Sequence, residues 1–106
     1  MKMKELMNMP KAISPFVQLT NVFDPANETE PDWVSEIEEE VRTEALKFGK
    51  VLNCHVVKDS AGFVFLEMES VAAAQEAING MHNRFFGGNT IVATSCNEFF
   101  YLKSLK

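Results

Sequence analysis

Glu36, Glu40 and Glu44 recur at a spacing of four, the clearest binding pattern in this chain of 106 residues. On a helix turning about 100° per residue they form one stripe that drifts about 40° with each step. The drift carries Glu44 toward the apolar side of the same helix, made by Val34, Ile37, Val41, Ala45 and Phe48. A carboxylate at the edge of a core is partly desolvated and wants a guanidinium partner, whose planar fork also stacks on aromatic rings. Glu36 and Glu40 point further into solvent, where carboxylates attract cations and act mainly on association rate and specificity. Glu38 and Glu39 fall outside the stripe and read as solvated surface.

Other residue types that do chemistry are present without the companions they need. There is no Gly-rich phosphate loop, no nucleophile beside a plausible base, and no carboxylate pair in a pocket setting. The chain reads as a non-enzyme. His55 and His82 lack ligand-spaced neighbours, so neither a metal nor a cofactor is expected. Cys54 and Cys96 are too few for a disulfide framework and read as small core or sheet residues in a reducing compartment. Trp33 reads as a packing anchor at the start of a helix.

Charge is unevenly spread. The net charge is −5, yet Asp24–Glu44 alone holds nine acids against one base, Arg42, or −8 in 21 residues. The remainder has six acids and nine bases, or +3. Such a block is either one solvated helix face or a docking surface for a basic partner. It argues against a chain built mainly to hold a nucleic-acid backbone. Hydrophobic residues at 46% and charged residues at 24% fit one ordered globular domain. No apolar run approaches the roughly 18 residues that span a bilayer, so no membrane contact is expected. MKMKELMNM lacks the apolar stretch of a secretion signal.

The elements that must position these residues follow from periodicity. Residues 1–15 read as a linker or lead-in. Phe16–Asn21 alternates as a strand, and Asp24–Pro31 is a loop with two prolines. A helix follows, capped at Ser35 (with Glu38 at capping-box spacing) or one turn earlier at Asp32, and it stops at Gly49. Val51–Val57 and Phe63–Met68 read as a hairpin across the turn 58–62. Ser70 caps a second helix, Val71–Asn79, which Gly80 ends, and Asn89–Thr94 is the last strand. Asn97–Lys106 is too apolar for a solvated tail. The order β-α-β-β-α-β predicts an α+β, ferredoxin-like sandwich, two helices on one face of a four-stranded antiparallel sheet.

Two strands narrow that fold. Ala61-Gly-Phe-Val-Phe-Leu-Glu-Met68 resembles the RNP1 octamer of RNA recognition motifs, keeping Gly62, Phe63 and Phe65. Ala61 stands where that octamer has a basic residue, and Met68 where it has its third aromatic. Val17–Val22 resembles RNP2, with Gln18 at the usual stacking aromatic. Period-two alternation puts Phe63 and Phe65 on the face where bases would stack, unless the Phe99–Leu105 segment covers them. The platform looks damaged for RNA.

Further residues resemble a narrower family. Asn21-Val-Phe-Asp-Pro25, the acidic first helix, Ala45-Leu-Lys-Phe-Gly49 and Arg84-Phe85-Phe86-Gly-Gly88 together resemble the U2 auxiliary factor homology motif (UHM). The similarity covers about residues 16–97 and looks closest to the C-terminal domain of CAPER-like splicing factors, leaving 98–106 as an extension. Phe85 stands where many members carry Trp or Lys. The resemblance implies a nuclear splicing-factor module that binds tryptophan-containing, Lys/Arg-rich peptides. Implied partners are the splicing factor 3b large subunit and the auxiliary factor's large subunit. It implies that a tryptophan enters a pocket walled by Phe86, with Phe85 as an alternative wall. Arg84 would lie across the indole and pair with Glu44, while Glu36 and Glu40 take the peptide's basic residues. RNA binding would be weak or absent, the rival reading being RNA stacked on Phe63 and Phe65.

Overall fold

Side chains buried on one face of a four-stranded sheet decide the architecture. The computed structural model describes residues 11–28, 31–86 and 88–104. Strands β1 (Phe16–Thr20), β2 (Val51–Val56), β3 (Val64–Met68) and the later β6 (Val92–Cys96) form one antiparallel sheet in the order β2-β3-β1-β6. Val17, Leu19, Val64, Leu66 and Met68 point to one face and are fully buried. Against that face pack α1 (Trp33–Ala45) and α2 (Val71–Met81). The expected ferredoxin-like sandwich is the observed fold.

In α1 the buried side chains are Ile37, Val41 and Ala45, with Val34 and Phe48 packed at the edge of the core, as the periodicity predicts. At 13 residues the helix is near the length at which an isolated helix is marginal in water. Its packed face stabilises it instead, by about 1.5–3 kcal/mol for each large buried aliphatic side chain. The helix starts at Trp33 because the Glu36 N–H donates to the Asp32 carbonyl at 3.1 Å. Ser35 therefore lies inside the helix and makes no capping box. The α-helix ends at Ala45, and a tighter 3₁₀ turn over Leu46–Phe48 carries the chain to Gly49.

Two local expectations change. Gly80 does not stop α2, which runs on to Met81. It is small because Phe48 lies on it: an added Cβ would come within 2.2 Å of that ring. The last sheet strand begins at Val92, not Asn89. Asn83 adopts a left-handed φ of 68°, and its N–H donates to the Ile91 carbonyl at 2.8 Å. The Ile91 N–H in turn donates to the Arg84 carbonyl at 2.8 Å. Those bonds set off a separate two-stranded ribbon, β4 (Phe85–Phe86) paired with β5 (Asn89–Thr90).

The opposite sheet face carries a smaller cluster of Phe16, Phe65 and Cys96 under Tyr101 of α3 (Glu98–Ser104). The Phe16 and Tyr101 rings lie 4.5 Å apart. Residues 12–15, read from sequence as part of the lead-in, run beside the sheet. The Ile13 N–H donates to Ser95 Oγ at 2.8 Å, and the Ser14 hydroxyl donates to the Cys96 carbonyl.

Candidate functional site

The four-residue spacing of Glu36, Glu40 and Glu44 becomes one wall of a groove of about 620 Å³. Thr43 and Glu39 complete the wall, so Glu39, expected to be plain surface, stands on the groove's outer lip. Residues three and four apart share a helix face, and that rule brings 36, 39, 40, 43 and 44 together where steps of four alone do not. Met81 at the end of α2 and Ile91 after β5, both buried, form the apolar floor. Arg84, Phe85 and Phe86 form the far wall.

The β4–β5 ribbon fixes that far wall. Alternation along β4 turns Phe86 inward, half-buried against the main core, and leaves Phe85 77% exposed on the rim. Arg84 Nη1 donates to the Gly80 carbonyl at 3.2 Å, and Nη2 donates to Glu44 Oε1 at 2.9 Å. The guanidinium thus joins the end of α2 to the last turn of α1. Glu44 takes a second cation, Lys47, whose Nζ is 3.0 Å from Oε2. The hydrogen bond and charge of Lys47, and after them the charge and hydrogen bond of Arg84, hold the Glu44 carboxyl below the usual carboxylate range.

Sequence spacing anticipates the stripe and the place of Glu44 at the core edge. Thr43, Met81 and Ile91 escape it as groove residues, and Lys47 as the second cation on Glu44. Lys47 is three residues past Glu44 and within ion-pairing reach on a helix, a readable signal. Met81 and Ile91 look like ordinary core residues, because nothing local marks a core side chain that also floors a groove.

The sheet's outer face is arranged differently. Phe63 and Phe65 share that face, their rings 6.5 Å apart and nearly parallel. Phe65 is buried beneath Tyr101, and Phe63 is half-buried. Tyr101 makes the cover, while Phe99 and Leu102, on the same short helix, remain exposed; Leu105 lies outside the described residues. Gln18 stands opposite Phe65 in the β1–β3 register, and Glu67 places a carboxylate nearby, bonded to Asn53 at 2.7 Å. Burial, with Glu38 nearby, pushes the Cys54 thiol up to about 12, leaving it an inert packing group. His82 Nδ1 accepts from the Ala93 N–H at 3.1 Å. Among the described residues no group of three metal-binding side chains converges.

Comparison with known proteins gives this geometry a setting. A family model described as the RNA recognition motif matches residues 37–92. The chain is 35% identical over 85 residues to a splicing factor U2af large subunit of Arabidopsis thaliana, covering 73% of the chain and 14% of that protein. It is 31% identical over 100 residues to a splicing factor U2af large subunit of Nicotiana plumbaginifolia, covering 86% of the chain and 18% of that protein. The chain therefore spans less than a fifth of the length of these curated relatives. Among solved structures, the RNA15 RRM superposes with a TM-score of 0.61 over 82% of this chain and 94% of that one. At 17% identity that likeness is one of fold.

Proposed function

The chain belongs to the RNA recognition motif family, and on that premise we propose that it is a non-catalytic peptide-recognition module of a nuclear pre-mRNA splicing factor, of the UHM type. Its ligands are Lys/Arg-rich segments carrying one tryptophan, such as those implied for the splicing factor 3b large subunit and the auxiliary factor's large subunit. The observation that carries this reading is the Arg84–Glu44 ion pair at 2.9 Å, at the edge of an apolar-floored groove with an acidic wall.

In this reading the indole enters over Met81 and Ile91, against the ring of Phe86. Arg84, held in plane by Glu44 and the Gly80 carbonyl, covers the indole's other face. Holding the guanidinium before the ligand arrives reduces the ordering cost of binding. Glu36, Glu40 and Glu39 then attract the basic residues, and Phe85 closes the rim. The covered Phe65, Gln18 opposite it, and Ala61 in place of a cation all weaken a single-strand RNA site, which needs open rings and positive charge. The alternative is RNA recognition through Phe63 and Phe65, favoured by their parallel rings. Calorimetric titration with a basic tryptophan peptide, its tryptophan-to-alanine version and single-stranded RNA separates the two. Binding of the tryptophan peptide alone supports the proposal, and binding of RNA alone overturns it.

A further inference from the structure

Met81, Arg84 and Ile91 reach the groove from three segments of chain, and one knot of backbone bonds ties those segments together. The Arg84 N–H donates to the Met81 carbonyl at 3.1 Å, and the Ile91 N–H to the Arg84 carbonyl at 2.8 Å. At the centre of the knot are His82 and Asn83, which do not line the groove. The His82 N–H closes α2 on the Ile78 carbonyl at 2.9 Å, and its ring reaches β6, where Nδ1 accepts the Ala93 N–H at 3.1 Å. Asn83 then reverses the chain at its left-handed φ of 68° and donates its N–H to the Ile91 carbonyl.

We propose that His82 is a positioning residue for peptide recognition: by holding the Ala93 N–H on an unprotonated Nδ1, it fixes the end of α2 against β6 and so places Arg84 at the indole site. The inference rests on the peptide-recognition reading above. β6 is an edge of its sheet and bonds to β1 alone, yet Ala93 is fully buried. Its N–H therefore has no water to turn to, and leaving it unpaired costs the desolvation of a buried donor. The imidazole supplies the acceptor only while its proton sits on Nε2.

The knot matters to binding because it sets the base of the groove's far wall. Glu44 and the Gly80 carbonyl orient the guanidinium, but the Cα from which it extends is placed by the bonds around His82 and Asn83. The ribbon beyond has two residues in each strand and leaves Phe85 exposed, so it offers little rigidity of its own. A wall in its competent position for only part of the time lowers affinity in proportion to that fraction.

Two pairs of variants test the role by calorimetric titration with a basic tryptophan peptide, well below each variant's melting temperature so that only folded protein is read. His82→Phe keeps a flat ring and removes the acceptor, whereas His82→Asn returns an oxygen to the position of Nδ1, one bond beyond Cγ. His82→Phe should weaken binding about tenfold, as for a wall in place about a tenth of the time, and His82→Asn should restore most of that loss. A merely structural histidine would change the melt and leave the affinity of the folded protein as it was. Asn83 is exposed, so its variants keep the test open should His82→Phe not fold. Asn83→Gly reaches a positive φ freely and should bind like the parent, while the β-branched Asn83→Val should lose about as much as His82→Phe. A folded His82→Phe or Asn83→Val that binds like the parent overturns the positioning role and leaves the groove's assignment intact, as does a His82→Asn as weak as His82→Phe. A parent protein that binds no tryptophan peptide overturns both.

Discussion

Arg84 Nη2 lies 2.9 Å from Oε1 of Glu44, a residue 40 positions earlier, and the clasp between them joins α1 to the ribbon that carries Phe85 and Phe86. Arg84 remains 51% exposed and Glu44 28% exposed, so the pair contributes little to folding stability. Its consequence lies in where it holds the guanidinium.

Replacing Arg84 should therefore separate binding from folding. Arg84→Ala should weaken a tryptophan peptide by about 2 kcal/mol or more, on the scale of an interface hot spot. Arg84→Lys should not restore binding, because an ammonium offers neither the planar fork nor a stacking face. Calorimetry with a thermal melt on each variant measures both quantities, and the melts should shift little.

Phe85 and Phe86 should part company in the same assay. Phe86 packs against the core, so Phe86→Ala should cost about 2 kcal/mol or more of binding and a comparable amount of stability. Phe85 is exposed, so Phe85→Ala should change stability by less than about 0.5 kcal/mol and weaken binding alone.

Salt tests the acidic wall. Raising ionic strength from about 0.05 to about 0.5 M should slow peptide association, with a smaller change in dissociation. Stopped-flow mixing resolves the two rates. Glu36→Gln with Glu40→Gln should flatten the salt dependence, and Glu39→Gln on the lip should do so less.

Acid tests the clasp. Lys47 and Arg84 hold the Glu44 carboxyl below its usual range, so the clasp's stabilisation is complete above the unfolded-state value of about 4.3. It is lost as pH falls through the lower native value, where Glu44 protonates. Melting temperatures of the parent and Glu44→Gln should accordingly differ by a small margin near neutrality, as fits so exposed a pair, and converge in acid.

The sandwich and the acidic stripe are legible in the sequence because they rest on periodicity, which side chains of neighbouring turns and alternate strand positions obey locally. Glu44 is legible for the same reason: its angle on α1 places it at the core edge. The end of α2 is not, because Gly80 answers to Phe48, 32 residues away, and not to its own helix. The β4–β5 ribbon is hidden because Asn83 turns the chain with a left-handed φ that Asn tolerates but does not demand. Lys47 and Glu39 stay out of view when steps of four are followed without steps of three.

The most direct measurement is an amide NMR map of the labelled domain titrated with a Lys/Arg-rich tryptophan peptide and, separately, with single-stranded RNA. The peptide should shift resonances at Glu36–Glu44 and Arg84–Phe86, and RNA should leave Gln18, Phe63 and Phe65 unmoved. RNA-induced shifts at Phe63 and Phe65 with micromolar or better affinity, and a groove silent to the peptide, would contradict the account.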